Sequence, residues 1–125
     1  MDEQTEKDWT QLQQKLLENS GKLKSTISGM RSKESEKKRA ELTEQELVEL
    51  PDDTVVYKSL GRAFVFAPKP QVQDEMKQAT ITLQDEIDKY KNNKEYLERT
   101  QTDIESNMKE LIQNSPFLKA RLMGT

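Results

Sequence analysis

Thr54-Val55-Val56-Tyr57-Lys58-Ser59-Leu60, then Gly61-Arg62, then Ala63-Phe64-Val65-Phe66-Ala67, is the stretch on which the fold turns. Its flanks are β-branched and aromatic. The two-residue link carries Gly first, where a type II′ hairpin turn needs φ > 0 and a Cβ is costly. That link sets the register. Tyr57 falls opposite Phe66 and Ser59 opposite Phe64, making one aromatic face; Val56, Lys58, Val65 and Ala67 line the other. An isolated two-stranded hairpin is marginal in water. Both of its edges are open beside Val, Tyr and Phe, an aggregation hazard unless further strands pair with them. The simple resolution is that other chains supply those strands. A hairpin-mediated oligomer is therefore predicted, with Val56, Tyr57, Gly61, Arg62, Phe64 and Phe66 as its assembly residues.

C-terminal to the hairpin, no proline or glycine interrupts the chain between Pro70 and Pro116. The spacing predicts one helix over 70–113. On a heptad, Met76, Leu83, Tyr90, Leu97, Ile104 and Leu111 fall at d, and Thr80, Ile87, Lys94, Gln101 and Met108 at a. This narrow stripe is a coiled-coil seam. Such a helix is roughly 60 Å long at 1.5 Å per residue, and it needs a partner to bury its stripe. The polar a residues Lys94 and Gln101 weaken the seam and are candidates for fixing register, against the plainer reading that Lys94 snorkels.

N-terminal to the hairpin, residues 3–41 lack proline, and Trp9, Leu16, Leu23 and Met30 recur every seven residues with Leu12 and Ile27 beside them. This second seam is poorer. Ser20 and Glu34 are expected at facing positions, and Gly21 and Gly29 each cost about 1 kcal/mol relative to Ala. Thr43-Glu44-Gln45-Glu46 has the form of a capping box, which predicts a separate short helix from Glu44 to about Leu50, stopped by Pro51. The expected fold is mainly α: a long antiparallel two-helix coiled coil with a short helix and one hairpin between the helices. The hairpin joins strands of other chains, and both termini lie far from it. Residues 1–125 form one domain: helix 3–41, short helix and hairpin 42–68, helix 70–113, tail 114–125.

Composition narrows the function. Of 125 residues, 32% are hydrophobic and 34% charged, which points to long helices rather than a globular core. With 20 basic and 23 acidic residues and a net charge of −3, the chain has no general attraction to nucleic acid or acidic membranes. No cysteine and no histidine is present, so thiolate chemistry and the usual neutral-pH acid/base group are missing, as is the commonest metal ligand. No catalytic, cofactor or metal residues are expected. No run of about 18 apolar residues spans a membrane, and Met1-Asp2-Glu3 is acidic without a hydrophobic signal core; the expected location is cytoplasmic. Glu44, Glu46, Glu49, Asp52 and Asp53 could bind a divalent cation, but capping and solubility explain them. Arg31, Lys33, Lys37, Lys38 and Arg39 read as a solvated face near a helix C-terminus, where the dipole favours cations.

Leu42-Thr43 with Glu46, Tyr57, Gly61-Arg62, Phe64-Val65 and Tyr96-Leu97-Glu98-Arg99, taken in order, resemble prefoldin, and within it the β-type subunits. The likeness covers Leu42 to Leu111. It implies a hetero-hexamer of two α-type and four β-type subunits whose hairpins join into a β-barrel, with coiled coils hanging from it. It implies an ATP-independent co-chaperone, not an enzyme, that captures unfolded actin and tubulin and delivers them to the cytosolic chaperonin. If clients are held at the coiled-coil tips, the residues to carry this are Trp9, Leu12 and Leu17 at one helix end and Met108, Ile112, Phe117 and Leu118 at the other. Leu17 and Ile112 lie off the seam and are expected to stay exposed after pairing; a mobile apolar surface with Met suits promiscuous binding. For Trp9 and other seam residues, closing the coiled coil is the competing role. Two other classes remain open. One is a coiled-coil finger that carries an acidic tip into an RNA polymerase channel, against which the hydrophobic hairpin stands. The other is a plain coiled-coil scaffold, which needs no hairpin.

Overall fold

The computed structural model describes residues 3–124. Met1 and Asp2 of the acidic N-terminus, and Thr125 at the end of the tail, lie outside the described residues. The element order is α1 (Glu3–Glu49), β1 (Val56–Leu60), β2 (Ala63–Ala67), α2 (Lys69–Asn114) and α3 (Pro116–Met123). Two compact units divide the chain. One is Gly29–Tyr90; the other combines the residues up to Ser28 with those from Lys91 onward.

α1 does not stop at Glu41. It runs to Glu49, and the separate short helix is absent as such: its residues are the last turns of α1. Thr43 caps nothing. Its hydroxyl donates to the Arg39 carbonyl one turn back at 2.9 Å, the bond a threonine makes in mid-helix. No proline or glycine lies between Gly29 and Pro51 to open the backbone there, so a Thr-x-x-Glu spacing cannot start a new helix. The end at Pro51 is as expected: α1 finishes two residues earlier, and Leu50 N–H closes back on the Leu47 carbonyl at 3.2 Å. The basic run consequently sits inside α1 and not at its C-terminus.

Within the unit Gly29–Tyr90, β1 and β2 pair antiparallel with Tyr57 opposite Phe66 and Ser59 opposite Phe64, the register expected from the link. Gly61 has φ 63°, and no other described residue has positive φ, which fits type II′ and excludes I′. Val56 begins the strand, two residues later than predicted. The hairpin seats one face on its own helices: Ala67 clusters with Leu47 of α1 and Val72 of α2, with Val56 and Met76 packed against them. Polar ties support this. Lys58 Nζ donates to Glu75 Oε1 at 2.8 Å, and that bond, helped by Gln71, holds the Glu75 carboxyl below its ordinary range. Lys33 Nζ lies 3.0 Å from Glu86 Oε2, and the Glu86 bond, with Glu36 beside it, raises the Lys33 ammonium above its ordinary value.

Within the predicted stripe of α2, Ile87, Leu97 and Ile104 are most enclosed; Val72, outside that series, is buried in the first turn. Along α1 the enclosed positions are Leu12, Leu16, Asn19, Leu23, Thr26, Met30, Lys33, Lys37 and Ala40, alternating by four and three. Ser20 is half-buried and its hydroxyl meets Gln101 of α2, as expected of a facing residue, but Glu34 is exposed, and the most enclosed positions of that series, Asn19 and Thr26, lie one residue before Ser20 and Ile27. The reason is polar pairing. In the second unit, Asn19 Nδ2 donates to the Leu97 carbonyl at 3.0 Å and to Gln101 Oε1 at 2.9 Å, and Asn93 Nδ2 donates to Thr26 Oγ1 at 3.0 Å. Buried amides and hydroxyls are tolerated where they find such partners.

The two glycines of α1 differ in role. A Cβ at Gly21 would meet nothing within 4 Å, whereas one at Gly29 would lie 2.7 Å from Tyr90 Cε1. Gly29 lets the Tyr90 ring approach the α1 backbone. We expect Gly21→Ala to raise stability by about 1 kcal/mol, the full difference in helix propensity. Gly29→Ala should fall short of that gain, because the ring must move. Paired urea titrations check this; equal gains at both positions would show that the Tyr90 contact constrains nothing.

Candidate functional site

Two surfaces are candidates for binding other polypeptides, one in each unit. The first is the outer face of the hairpin. Because side chains alternate along a strand, seating Val56 and Ala67 inward forces Tyr57, Phe64 and Phe66 outward. They are 61%, 75% and 60% exposed. Tyr57 and Phe66 stack edge to face across the strands, ring centroids 6.3 Å apart at 75°. Only these two strands form the sheet among the described residues. Three neighbouring aromatics left in water beside open strand edges form an apolar surface of the kind that marks an association site. Gly61 and Arg62 are exposed at the turn. Val56 is the exception among the predicted assembly residues: it is half-buried in the chain's own cluster with Leu47, Ala67 and Val72.

The second surface lies in the unit that holds both helix ends. Of the predicted tip residues, Leu17 is 71% and Phe117 45% exposed. Trp9, Leu12, Met108 and Ile112 are half-buried, so Ile112 is less open than its off-seam position suggested. Leu12 and Leu111 line a groove whose rim carries Asp8, Lys15, Asn107 and Glu110. Leu118 departs from expectation. It is 1% exposed, the most enclosed large side chain described. The tail that contains it is folded: Ser115 caps α3, its hydroxyl accepting from Leu118 N–H at 3.3 Å, and Pro116 stands in the first turn. Ser115-Pro116 is a helix-start signal present in the sequence, which the reading of Pro116 as a terminator passed over.

Among the described residues, no group of three or more His, Cys, Asp and Glu is placed to hold a metal ion. In the acidic cluster Asp52 instead meets Lys69 Nζ at 3.2 Å. The basic run is partly consumed within its unit: Lys33 pairs with Glu86, and Lys37 pairs with Glu41 and donates to Gln84. Among the described residues, no helix is long and apolar enough to cross a membrane.

A family model described as "Prefoldin subunit" matches residues 10–115, and so takes in both helices and the hairpin. The chain belongs to the prefoldin subunit family. A prefoldin subunit 1 from Arabidopsis thaliana is 38% identical over 123 residues, covering 98% of this chain and 96% of that protein. The human prefoldin subunit 1 is 28% identical over 112 residues, covering 90% of this chain and 92% of its own. The prefoldin β subunit from Thermococcus strain KS-1 shares the fold with a TM-score of 0.79 at 19% identity, covering 86% of this chain and 95% of that one. Membership in prefoldin makes this chain a co-chaperone subunit that assembles with other prefoldin subunits. Against it, the polymerase-finger and scaffold readings lose their ground.

Proposed function

We propose that this chain takes a β-type place in a hexamer of prefoldin subunits, joined through the hairpin, and that the assembly captures unfolded actin and tubulin without ATP and delivers them to the cytosolic chaperonin. The observation that carries the reading is the exposed Tyr57–Phe64–Phe66 face on a two-stranded sheet with open edges. A single-hairpin chain that hides one face in its own core and leaves three aromatics in water is built to be completed by neighbours. Tyr57, Gly61, Arg62, Phe64 and Phe66 form the assembly surface. Trp9, Leu12, Leu17, Met108, Ile112 and Phe117 form the client surface at the helix ends, Leu17 and Phe117 being its open members. The working compartment is the cytoplasm.

The test reconstitutes this chain with the other prefoldin subunits and dilutes chemically denatured actin into the mixture without nucleotide. Light scattering should fall in proportion to the assembly added, and cytosolic chaperonin added later should take over the actin. Scattering that is the same with and without the assembly would overturn the reading.

A further inference from the structure

The buried leucine of α3 identifies what the helix ends accept. Ser115 follows the last residue of α2 directly, and Arg121 Nη1 reaches Glu6 Oε1 in the first turn of α1 at 3.5 Å. α3 thus bridges from the end of α2 to the start of α1, and Leu118, between those two anchor points, is 1% exposed. A helix of eight residues cannot enclose its own leucine, so the cover comes from the rest of its unit, which holds the ends of α1 and α2; there Trp9, Leu12, Met108, Leu111 and Ile112 are each half-buried. Leu118 and Leu122 lie one turn apart on α3, on one face, with Arg121 beside them.

The hold on α3 is weak. Its long-range ion pair is exposed on both sides, 56% and 53%, and such pairs contribute little. Phe117, Leu122 and Met123 are 45%, 46% and 74% exposed, so much of the helix's apolar surface stays in water. An eight-residue helix is too short to persist by itself. It stays folded here through its cap and one seated leucine.

We propose that the paired helix ends form a binding site for a short helical segment carrying a leucine and, three residues on, a basic residue, and that α3 is a built-in ligand occupying this site until a client segment displaces it. The leucine fills the space between the helix ends; the basic residue meets Glu6. This deepens the capture reading and rests on it: among non-native segments, those that form a turn of amphipathic basic helix compete best with α3. A site filled by its own chain binds an outside ligand with an affinity reduced by the fraction of time it stands open.

The experiment uses the assembly of this chain with the other prefoldin subunits and a fluorescent peptide with the sequence of residues 115–124. Leu118→Asp in the chain unseats α3 and leaves the α1 and α2 ends intact. Peptide affinity, read by fluorescence anisotropy, should rise about tenfold over the unchanged assembly, and a peptide carrying the same Leu118→Asp change should not bind. Arg121→Glu in the chain should raise affinity roughly two- to fivefold, and adding Glu6→Arg should take it below the starting level, because that change re-pairs position 121 of the chain and also repels the arginine of the peptide; this pair decides the matter if the Leu118→Asp chain fails to assemble. Equal peptide binding by variant and unchanged assemblies, or binding to neither, would overturn the inference and leave α3 a fixed structural helix. Actin scattering run in parallel separates the two claims. An unchanged assembly that captures actin while its variants ignore the peptide sinks only the built-in ligand. Variants that bind peptide while no assembly captures actin sink the capture reading and the displacement role with it, and leave a peptide site alone.

Discussion

Phe64→Asp with Phe66→Asp should separate this chain from the other prefoldin subunits and leave its helices folded. Both side chains are exposed, 75% and 60%, so no core of the isolated chain is lost with them. Far-ultraviolet dichroism of the variant should match that of the unchanged chain. On the proposed hairpin-joined assembly, in contrast, apolar surface is lost at the contact with neighbouring chains, and two carboxylates must be desolvated in its place. Central aromatics at interfaces typically contribute about 2–4 kcal/mol each, and a loss of that size weakens association roughly 30- to 1,000-fold for each residue. Size-exclusion chromatography of the subunit mixture should show the variant running alone. Val56→Ala is the control of opposite character: its side chain packs in the chain's own cluster, so it should lower intrinsic stability more than association. If the double Asp variant co-elutes with the other subunits, the aromatic face is not the assembly surface.

The hairpin was open to sequence reading because one feature controls its geometry. A two-residue link beginning with glycine admits few turns, and the turn determines every cross-strand pair; the observed register follows. α2 was equally open, since apolar residues hold its d positions from Met76 to Leu111 and nothing between Pro70 and Pro116 breaks the helix. α1 is harder for a physical reason. Asn19, Thr26, Lys33 and Lys37 occupy its enclosed series, and an apolar pattern cannot register a position filled by an amide or an ammonium. Ile27, itself half-buried, then draws the reading one residue along, to Ser20, which does meet Gln101, and to Glu34, which is exposed. What places Asn19 inward is the pair it forms with the Leu97 carbonyl and Gln101, information that lies on α2, not on α1. Thr43 shows the same limit at short range: Thr-x-x-Glu caps a helix only where the backbone before it is not helical, and residues 30–42 are. α3 is a different failure. Ser115-Pro116 both ends one helix and starts the next, and only the burial of Leu118 shows that the second meaning holds.

Lys69→Glu should be the most damaging single change to the unit around the hairpin, although no periodicity or motif marks the residue. Lys69 stands at the start of α2, the positive end of that helix dipole, where a cation is disfavoured. α1, conversely, has no basic residue in its last turn to meet its unpaired carbonyls. Lys69 answers the second deficit at the expense of the first. It is 4% exposed, and its Nζ donates to the Leu50 carbonyl at 2.6 Å, just past the α1 terminus, and to Asp52 Oδ1 at 3.2 Å. Asp52 is itself fully exposed, so the carbonyl is the enclosed partner and the carboxylate a solvated one. Lys69→Met keeps the buried stem and removes both bonds; it should cost about 1–3 kcal/mol, the range for an enclosed polar group left unmatched. Lys69→Glu puts a carboxylate against a carbonyl oxygen and a second carboxylate beside Ala67 and Val72, both nearly fully buried, and should cost about 3–5 kcal/mol. Hydrogen exchange at the β1 and β2 amides reports the effect where it acts. Protection there should fall in the order unchanged, Met, Glu, with amides around Ile104 unaffected. Equal loss in the two variants would mean that losing the two Nζ bonds accounts for the whole effect and the introduced carboxylate for none of it; equal loss at Ile104 would mean that the residue governs global stability and not the junction of α1 with the hairpin.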